Sequence, residues 1–321
     1  MRELLGIALF AALAAALPLV ISSGFLLNGA TMILYATLLG TAWNILAGFG
    51  GQFSFGHAVF FGTGAYAAAV LQVKFGWNAW AALPVAVALG GVVGALVGAL
   101  SFRYGLRGSY FALVTLAFAE IFRILANTFA FTGAGVGLMV PLSKSAADFQ
   151  FATGNGYFYV ILAFALAGML ITWWLKHSRF GAWLQAVRDN EDSAAALGVD
   201  VIRVKFVAIT ISGALTAAGG VFYVQYFHYI DSHIAYGPAV SVEALLAPIV
   251  GGLGTLFGPL LGAAVLHLLG EITRNMMGDA PGVSLVIYGV VLVVMVTFLP
   301  RGIIGGLAAM RRTRPVKDPD A

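Results

Sequence analysis

The residues of this sequence with the clearest chemical pattern lie in a charged stretch, 177–203, between long apolar segments. In its second half Asn190 can cap a short helix, Glu191 and Asp192 suit the positive first turn, and Gly198 can take the left-handed conformation that ends it. Such an alanine-rich helix with little bulk suits docking into a groove on another protein, and an ordinary solvated loop is the alternative. The docking candidates are Arg188, Asp189, Asn190, Asp192, Ala194, Ala195 and Gly198.

Two glycine-rich stretches, 50–56 and 251–258, resemble each other, each with a Gly-Gly pair, a hydroxyl residue, and then Phe and Gly. Glycines there permit a sharp break between helices, and the backbone groups that a break frees must be received by protein or by a cavity. We expect both breaks to face the same side of the membrane, which would make the two stretches a parallel repeat. The alternative is two unrelated Gly-rich turns between helices. The pathway or helix-break candidates are Gly51, Gln52, Ser54, Gly56, His57, Glu243, Gly251, Gly252, Gly254 and Gly258.

Ionisable residues inside apolar segments need a reason, because one at a helix centre costs about 2.5–3.5 kcal/mol on insertion scales. Glu120 and Arg123 lie three residues apart, so we expect them to form a structural pair on one helix face. His57 can stay neutral and bond a backbone or hydroxyl group. Glu243 has no basic neighbour in sequence. It could face a gate, pair with a partner subunit, or lie at the outer interface of a short helix, and we favour the last.

Several kinds of chemistry are excluded by motif. The chain has no cysteine, so disulfides, zinc thiolate sites and cysteine catalysis are ruled out. It also lacks a Gly-x-x-x-x-Gly-Lys-Ser/Thr phosphate loop, so we expect no ATP hydrolysis by this chain. No His-Glu-x-x-His or Gly-x-Ser-x-Gly motif appears in an apolar segment. We therefore predict no enzyme activity, no metal site and no cofactor bound by this chain.

The elements that carry these residues are transmembrane helices. Hydrophobic residues make up 61% of the chain and charged residues only 9%, against about 25% in soluble domains. Residues 4–73 contain no Asp, Glu, Lys or Arg, so lipid must be the solvent for this part. The fold class is therefore all-α, a polytopic transmembrane bundle with a short cytoplasmic docking helix. The sequence predicts about ten segments, at 4–21, 26–49, 54–73, 79–101, 108–127, 156–176, 204–229, 239–252, 255–275 and 282–300.

The distribution of basic residues gives the orientation and the domain organisation. Arginine and lysine concentrate in 177–203 and in the tail 311–321, which should both be cytoplasmic. Counting spans outward puts both termini in the cytoplasm, provided that segment 239–252 crosses fully rather than re-entering. We expect one transmembrane domain over 1–310, with 177–203 as its docking loop, followed by the basic tail 311–321. The net charge of +4 belongs to these loops and does not indicate nucleic-acid binding.

Several of these motifs resemble one transporter family. The run from Asp192 to Gly198 is similar to the Glu-Ala-Ala-x-x-x-Gly loop of ABC importer permeases, with Asp in place of Glu and Ser in place of the first Ala. Blocks at 51–58, 61–66, 108–121 and 251–259 resemble the LivM-type branched-chain amino acid permease. Together they cover most of residues 40–270. No single block is as specific as this combination.

The resemblance implies a subunit of a bacterial inner-membrane importer. Its implied partners are a second, LivH-like permease, two cytoplasmic ATPase subunits that use ATP and bind the docking helices, and an extracytoplasmic substrate-binding protein. We expect the outer loop 128–155 to touch the binding protein through Lys144 and Asp148. The implied substrates are branched-chain or similar amino acids, with urea, short amides or a sugar as the nearer alternative. An ion-coupled secondary transporter is the more distant one, since it would have no use for the docking loop.

Overall fold

The computed structural model describes residues 2–21, 23–143 and 145–277, together with 286, 289, 290, 293, 297 and 302–306. Almost all of this part is helical, because the long apolar segments satisfy their backbone groups internally. The α-helices in it are α1 Arg2–Val20, α2 Gly24–Asn44, α3 Ala58–Phe75, α4 Ala79–Phe102, α5 Gly108–Thr128, α6 Gly154–His177, α7 Arg179–Asp189, α8 Glu191–Ala196, α9 Val201–Phe227, α10 Ser232–Tyr236, α11 Pro238–Gly251 and α12 Gly258–Met277. A π-helical turn, Ile45–Phe49, extends α2.

The described part contains eight helical segments long and apolar enough to cross a membrane, and Gly258–Thr273 is a shorter apolar helix. This confirms the polytopic helix bundle. The eighth predicted segment is longer than expected, because α10 and α11 follow each other from Ser232 to Gly251 with a bend at Gly237. Its 20 residues suit a full crossing. The tenth segment, 282–300, lies mostly outside the described residues, and the tail 311–321 lies wholly outside them.

The packing is built around α2 and α9. Helix α2 is central, and every residue from 37 to 49 is buried. Helix α9 lies along α3 and α4 and meets a stripe of small residues on α4. A Cβ at Gly94 would lie 2.8 Å from the carbonyl oxygen of Ile209, and one at Gly98 would lie 2.6 Å from the Cγ2 of Ile209. The stripe therefore lets the two backbones approach closely.

The chain between α2 and α3 differs from the prediction. The sequence predicted a helix from residue 54, but α3 begins at Ala58 and residues 50–57 are not helical. Side-chain oxygens replace the helical hydrogen bonds in this break. The Phe55 N–H donates to Thr115 Oγ1 over 3.1 Å, and the Ala58 N–H donates to Ser241 Oγ over 3.0 Å. A non-helical backbone is tolerated here because neighbouring helices receive its polar groups.

We call the end of the bundle that carries α7 and α8 the coupling end. At the opposite end, two short strands, β1 Leu138–Met139 and β2 Tyr229–Ile230, pair antiparallel. The loop 128–153 folds back onto the bundle, where Trp80 stacks on Phe149 at 4.3 Å between ring centroids. Asn78 Nδ2 donates to Asp148 Oδ1 over 2.7 Å, while Lys144 lies outside the described residues.

Candidate coupling site and helix breaks

Local hydrogen bonding sets the form of the docking segment. Asn190 lies between α7 and α8, and its Oδ1 accepts from the Ser193 N–H over 2.8 Å, so it caps α8 as predicted. Gly198 follows α8 with φ +88°, the left-handed conformation expected at a helix stop. Two short helices therefore project from the coupling end between α6 and α9.

The two faces of α8 have different surroundings. Ala194 is only 2% exposed and packs inward, so it does not lie on the outward surface with the other docking candidates of α8. The reason is helical periodicity, which turns Ala194 toward the bundle and leaves its neighbours outside. Ala195, Ala196 and Gly198 are exposed, and Leu197 is 86% exposed. The outward surface of α8 is thus small and apolar, with an unburied leucine at its tip.

Glu191, which the docking candidates left out, is the residue that ties α8 to the bundle. Its carboxylate forms an ion pair with Lys205 Nζ on α9 and another with Arg107 Nε, 2.8 Å away at the start of α5. Gln52 Nε2 in the first break also donates to it over 3.2 Å. Lys205 is nearly buried and lies over the ring of Phe102. A sequence signal for this cluster did exist. Glu191 is an acid in the first turn of a short helix, and Arg107 and Lys205 are basic residues at the ends of two spans.

Asp192, the residue that the resemblance aligned with the glutamate of the loop motif, has a different environment. Its side chain is 86% exposed, and it accepts one long hydrogen bond of 3.3 Å from Arg107 Nη1. Asp189 is also exposed and pairs with Arg188, its neighbour in the chain. Both aspartates therefore belong to the outward surface, and Glu191 alone of the three acids points into the bundle.

Arg188 links the docking segment to both glycine-rich breaks. Its Nη1 donates to the carbonyl oxygen of Gly48 over 3.1 Å. Gly51 has φ +68°, and a Cβ there would lie 2.8 Å from Arg188 Cγ. Gly254 has φ +67°, and a Cβ there would lie 3.2 Å from Arg188 Nη1. Both positions therefore require glycine, because the backbone has a positive φ there and the arginine side chain approaches closely.

The two breaks also bind each other. Asn44, fully buried, donates from Nδ2 to the Thr255 carbonyl over 3.0 Å and accepts from the Gly254 N–H over 2.9 Å. Helices α2 and α11 enter these breaks, and α3 and α12 leave them, at the same end of the bundle. This agrees with the parallel arrangement expected for the repeat. Asn44 was not among the candidates, although it is an amide six residues before Gly50 in an apolar span.

The remaining glycine candidates in the breaks pack tightly against backbone. A Cβ at Gly56 would overlap the carbonyl of Thr115 on α5. Gly251 and Gly258 touch each other across the second break, and a Cβ on Gly251 would overlap the carbonyl of Gly258. Gly252 has φ +141°, which a side chain rarely adopts. These contacts assign the glycines a role in shaping the breaks.

His57 joins the first break to α9. It is fully buried, with Nδ1 3.1 Å from Ser54 Oγ and Nε2 2.8 Å from Ser212 Oγ. Ser212 donates its only proton to the Ala42 carbonyl, so it can only accept from His57 Nε2. The imidazole therefore carries a proton on Nε2. A fully buried ring whose two nitrogens both face hydroxyl groups is neutral, since burial of an unpaired charge is costly, and Nδ1 then accepts from Ser54. This matches the neutral, hydrogen-bonded role expected for His57.

Glu243 has a setting different from the one we favoured. It lies near the middle of the bent α10–α11 segment, where it is exposed to a cavity of about 250 Å³. The cavity is also bordered by Met32 and Ala36 from the interior of α2 and by Leu266 from α12. The outer-interface interpretation is therefore wrong. Helices α10 and α11 form one bent segment of 20 residues, and Glu243 lies near its middle rather than at its end. Of the pathway candidates in the described part, Glu243 is the one that borders this cavity.

The arrangement defines a class of protein. A multi-span bundle has breaks at one end, and ion pairs and hydrogen bonds join these breaks and span ends to a projecting pair of short helices. Among the described residues, His, Asp and Glu form no group of three that could hold a metal ion. The chain is a membrane permease component.

Comparison with known proteins agrees with this class. The family described as "Branched-chain amino acid transport system / permease component" matches residues 25–296, and the chain belongs to it. LivM of Salmonella typhimurium LT2, a high-affinity branched-chain amino acid transport permease, is 29% identical, over 91% of this chain and 72% of that protein. This confirms the predicted ABC importer permease of LivM type.

More distant relatives fall in the same group. The fructose import permease FruF of Bifidobacterium longum is 26% identical over 78% of this chain and 71% of its own length. LivH of Escherichia coli K12 is 22% identical over 87% of this chain and 94% of its own length. No solved structure gives a significant match to the chain.

Proposed function

We propose that this chain is the LivM-like half of the transmembrane pathway in a bacterial inner-membrane importer for branched-chain or related aliphatic amino acids. It would work with a LivH-like permease, two cytoplasmic ATPase subunits and an extracytoplasmic binding protein, with both of its own termini in the cytoplasm. ATP would be bound and used by the ATPase subunits, and this chain would transmit their movement. The family and the relatives' names support this composition.

The observation that carries the proposal is the two-sided form of α8. Its outer surface, with Ala195, Ala196 and Leu197 exposed, offers small residues and one leucine to a groove on an ATPase. On its inner side, Glu191 forms ion pairs with α9 and with the start of α5, and it accepts a hydrogen bond from the first break. Arg188, at the end of α7, holds both breaks. Displacement of α7–α8 by an ATPase would therefore move the break region and two span ends together.

The substrate is proposed from chemistry as well as from names. Spans with few charges suit a cargo with an aliphatic side chain, because weak apolar contacts allow release. A sugar is the second candidate, since the relative FruF is named as a fructose import permease. Uptake by the intact transporter separates the two, with labelled leucine and fructose offered singly and in competition.

The docking role is tested by co-purification of the tagged chain from native membranes. Wild type should bring down an ATPase pair and a second permease. Leu197→Asp should keep the permease and lose most of the ATPase, because a charge would replace the exposed apolar tip. Leu142→Asp is the matched control, an equally available leucine (71% exposed) on the loop at the opposite end. A chain that purifies alone and drives uptake on an ion gradient would contradict the proposal.

A further inference from the structure

We propose that Glu243 and the cavity beside it form a transient site for the ammonium group of the amino acid during its passage. This inference rests on the proposed function and deepens it. It concerns the membrane interior, whereas the coupling site described above lies at one end of the bundle.

The walls of the cavity suit an aliphatic side chain. Met32 and Ala36 on α2, Leu246 on α11 and Leu266 on α12 border a space of about 250 Å³. Small-molecule sites are mostly apolar, with a few polar groups that fix orientation, and this cavity has that form. Its size is suited to one small amino acid rather than to a larger solute.

The acidic group of the cavity is the carboxylate of Glu243. In the described part of the chain, no lysine or arginine forms an ion pair with Glu243. The other ionisable group that borders the cavity is His267, which lies 3.9 Å from Glu271 on its own helix. An ionised carboxylate among apolar groups is costly until a positive charge joins it. The ammonium group of an amino acid supplies that charge. One carboxylate with apolar walls binds weakly enough to let the amino acid leave, as a pathway requires.

The absence of cysteine gives the first arm of the test. Because the wild-type chain has no cysteine, Glu243→Cys introduces its only thiol. Labelling of the wild-type complex then gives the background from cysteines of the partner subunits. A water-soluble cationic methanethiosulfonate should label position 243 in the assembled transporter. Val92→Cys, exposed on α4, and Ala244→Cys, buried beside 243, are the controls and should react at least about tenfold more slowly. Labelling at 243 no faster than in both controls would overturn the proposal.

The second arm measures uptake by the whole transporter in vesicles. Glu243→Gln keeps the shape and removes the charge, so leucine uptake should fall about tenfold or more, with Glu243→Asp between it and wild type. Co-purification of the second permease and the ATPases should be unchanged. Uptake within twofold of wild type would overturn the proposal. Loss of the second permease would also overturn it, because Glu243 would then serve as an assembly ion pair.

The two proposals fail in different ways. If the wild-type transporter carries no branched-chain amino acid, the proposed function is wrong, and the ammonium site is wrong with it. If wild type carries leucine and Glu243→Gln carries it equally well, only the ammonium site is wrong.

Discussion

Arg188 donates a hydrogen bond from Nη1 to the backbone carbonyl of Gly48 over 3.1 Å, joining the end of α7 to the π-helical turn of α2. The same side chain packs on Gly51 and Gly254, one in each break. A single arginine therefore connects the docking segment to the two places where the spans are interrupted. If α7 moves, the breaks must move or the hydrogen bond must break.

Arg188→Met tests this connection, because it keeps the packing on Gly51 and removes the hydrogen bond to Gly48. We expect the ATPase to remain bound and uptake to fall about tenfold, since a charged hydrogen bond is worth about 1.5–3 kcal/mol. Arg103→Met, at an exposed arginine of the same end, is the control and should leave uptake near wild type. Equal losses in both variants would show that the connection to the breaks is not specific.

Glu191→Gln should destabilise the assembled permease, because nearly buried Lys205 would lose its counter-charge. Removing one partner of a buried pair costs about 3–5 kcal/mol. The neighbouring Asp192→Asn removes an exposed charge and should cost about 0.5 kcal/mol or less. Thermal unfolding of the two variants in the same detergent compares them. Matching midpoints would mean that the Glu191 cluster does not stabilise the fold.

Gly56→Ala should impair folding, because the added Cβ would overlap the Thr115 carbonyl on α5 and neither backbone can give way easily. Overpacking of this kind costs about 1–3 kcal/mol or more. Gly24→Ala, where a Cβ meets nothing within 4 Å, is the matched control. The yield of folded protein by size-exclusion chromatography is the measurement. A normal yield for Gly56→Ala would contradict the packing of the first break.

His57→Ala should destabilise the chain by about 3 kcal/mol or more, since it opens a cavity and leaves Ser54 and Ser212 without their shared partner. His177→Ala removes an exposed histidine on α6 and should have little effect. Thermal unfolding at pH 6 and pH 8 would measure both. A neutral structural imidazole predicts a smaller loss at pH 6 than at pH 8, because at pH 6 the imidazole of the unfolded wild-type chain takes up a proton that the folded state refuses. A loss that is larger at pH 6 would argue against it.

Much of the architecture follows from hydrophobicity alone. The predicted spans 79–101 and 108–127 end within one residue of α4 and α5, because long apolar runs and the loops between them fix the limits. The caps of α8 were equally clear, since Asn190 and Gly198 act through local backbone geometry. These features depend on neighbours in sequence, which the sequence displays directly.

The site itself depends on neighbours in space. Glu191 and Asp192 are adjacent acids, and only the rotation of about 100° between helical residues puts one inward and the other outward. Neither acid shows by itself where Lys205 will lie. The start of α3 was misplaced for a similar reason, because oxygens from Thr115 and Ser241 support the break at 50–57. Glu243 was misplaced because α10 and α11 continue as one segment across the bend at Gly237, so that the segment is longer than its sequence indicated.

The central claim is that Glu191 transmits movement from α8 to the spans, and uptake measured with ATP hydrolysis on the same vesicles tests it most directly. For Glu191→Gln, measured on equal amounts of assembled transporter below the unfolding temperature of the variant, we expect ATPase subunits still bound, hydrolysis near wild type, and leucine uptake lower by about tenfold or more. Uptake and hydrolysis that stay in the wild-type ratio, whether both fall or both persist, would contradict it.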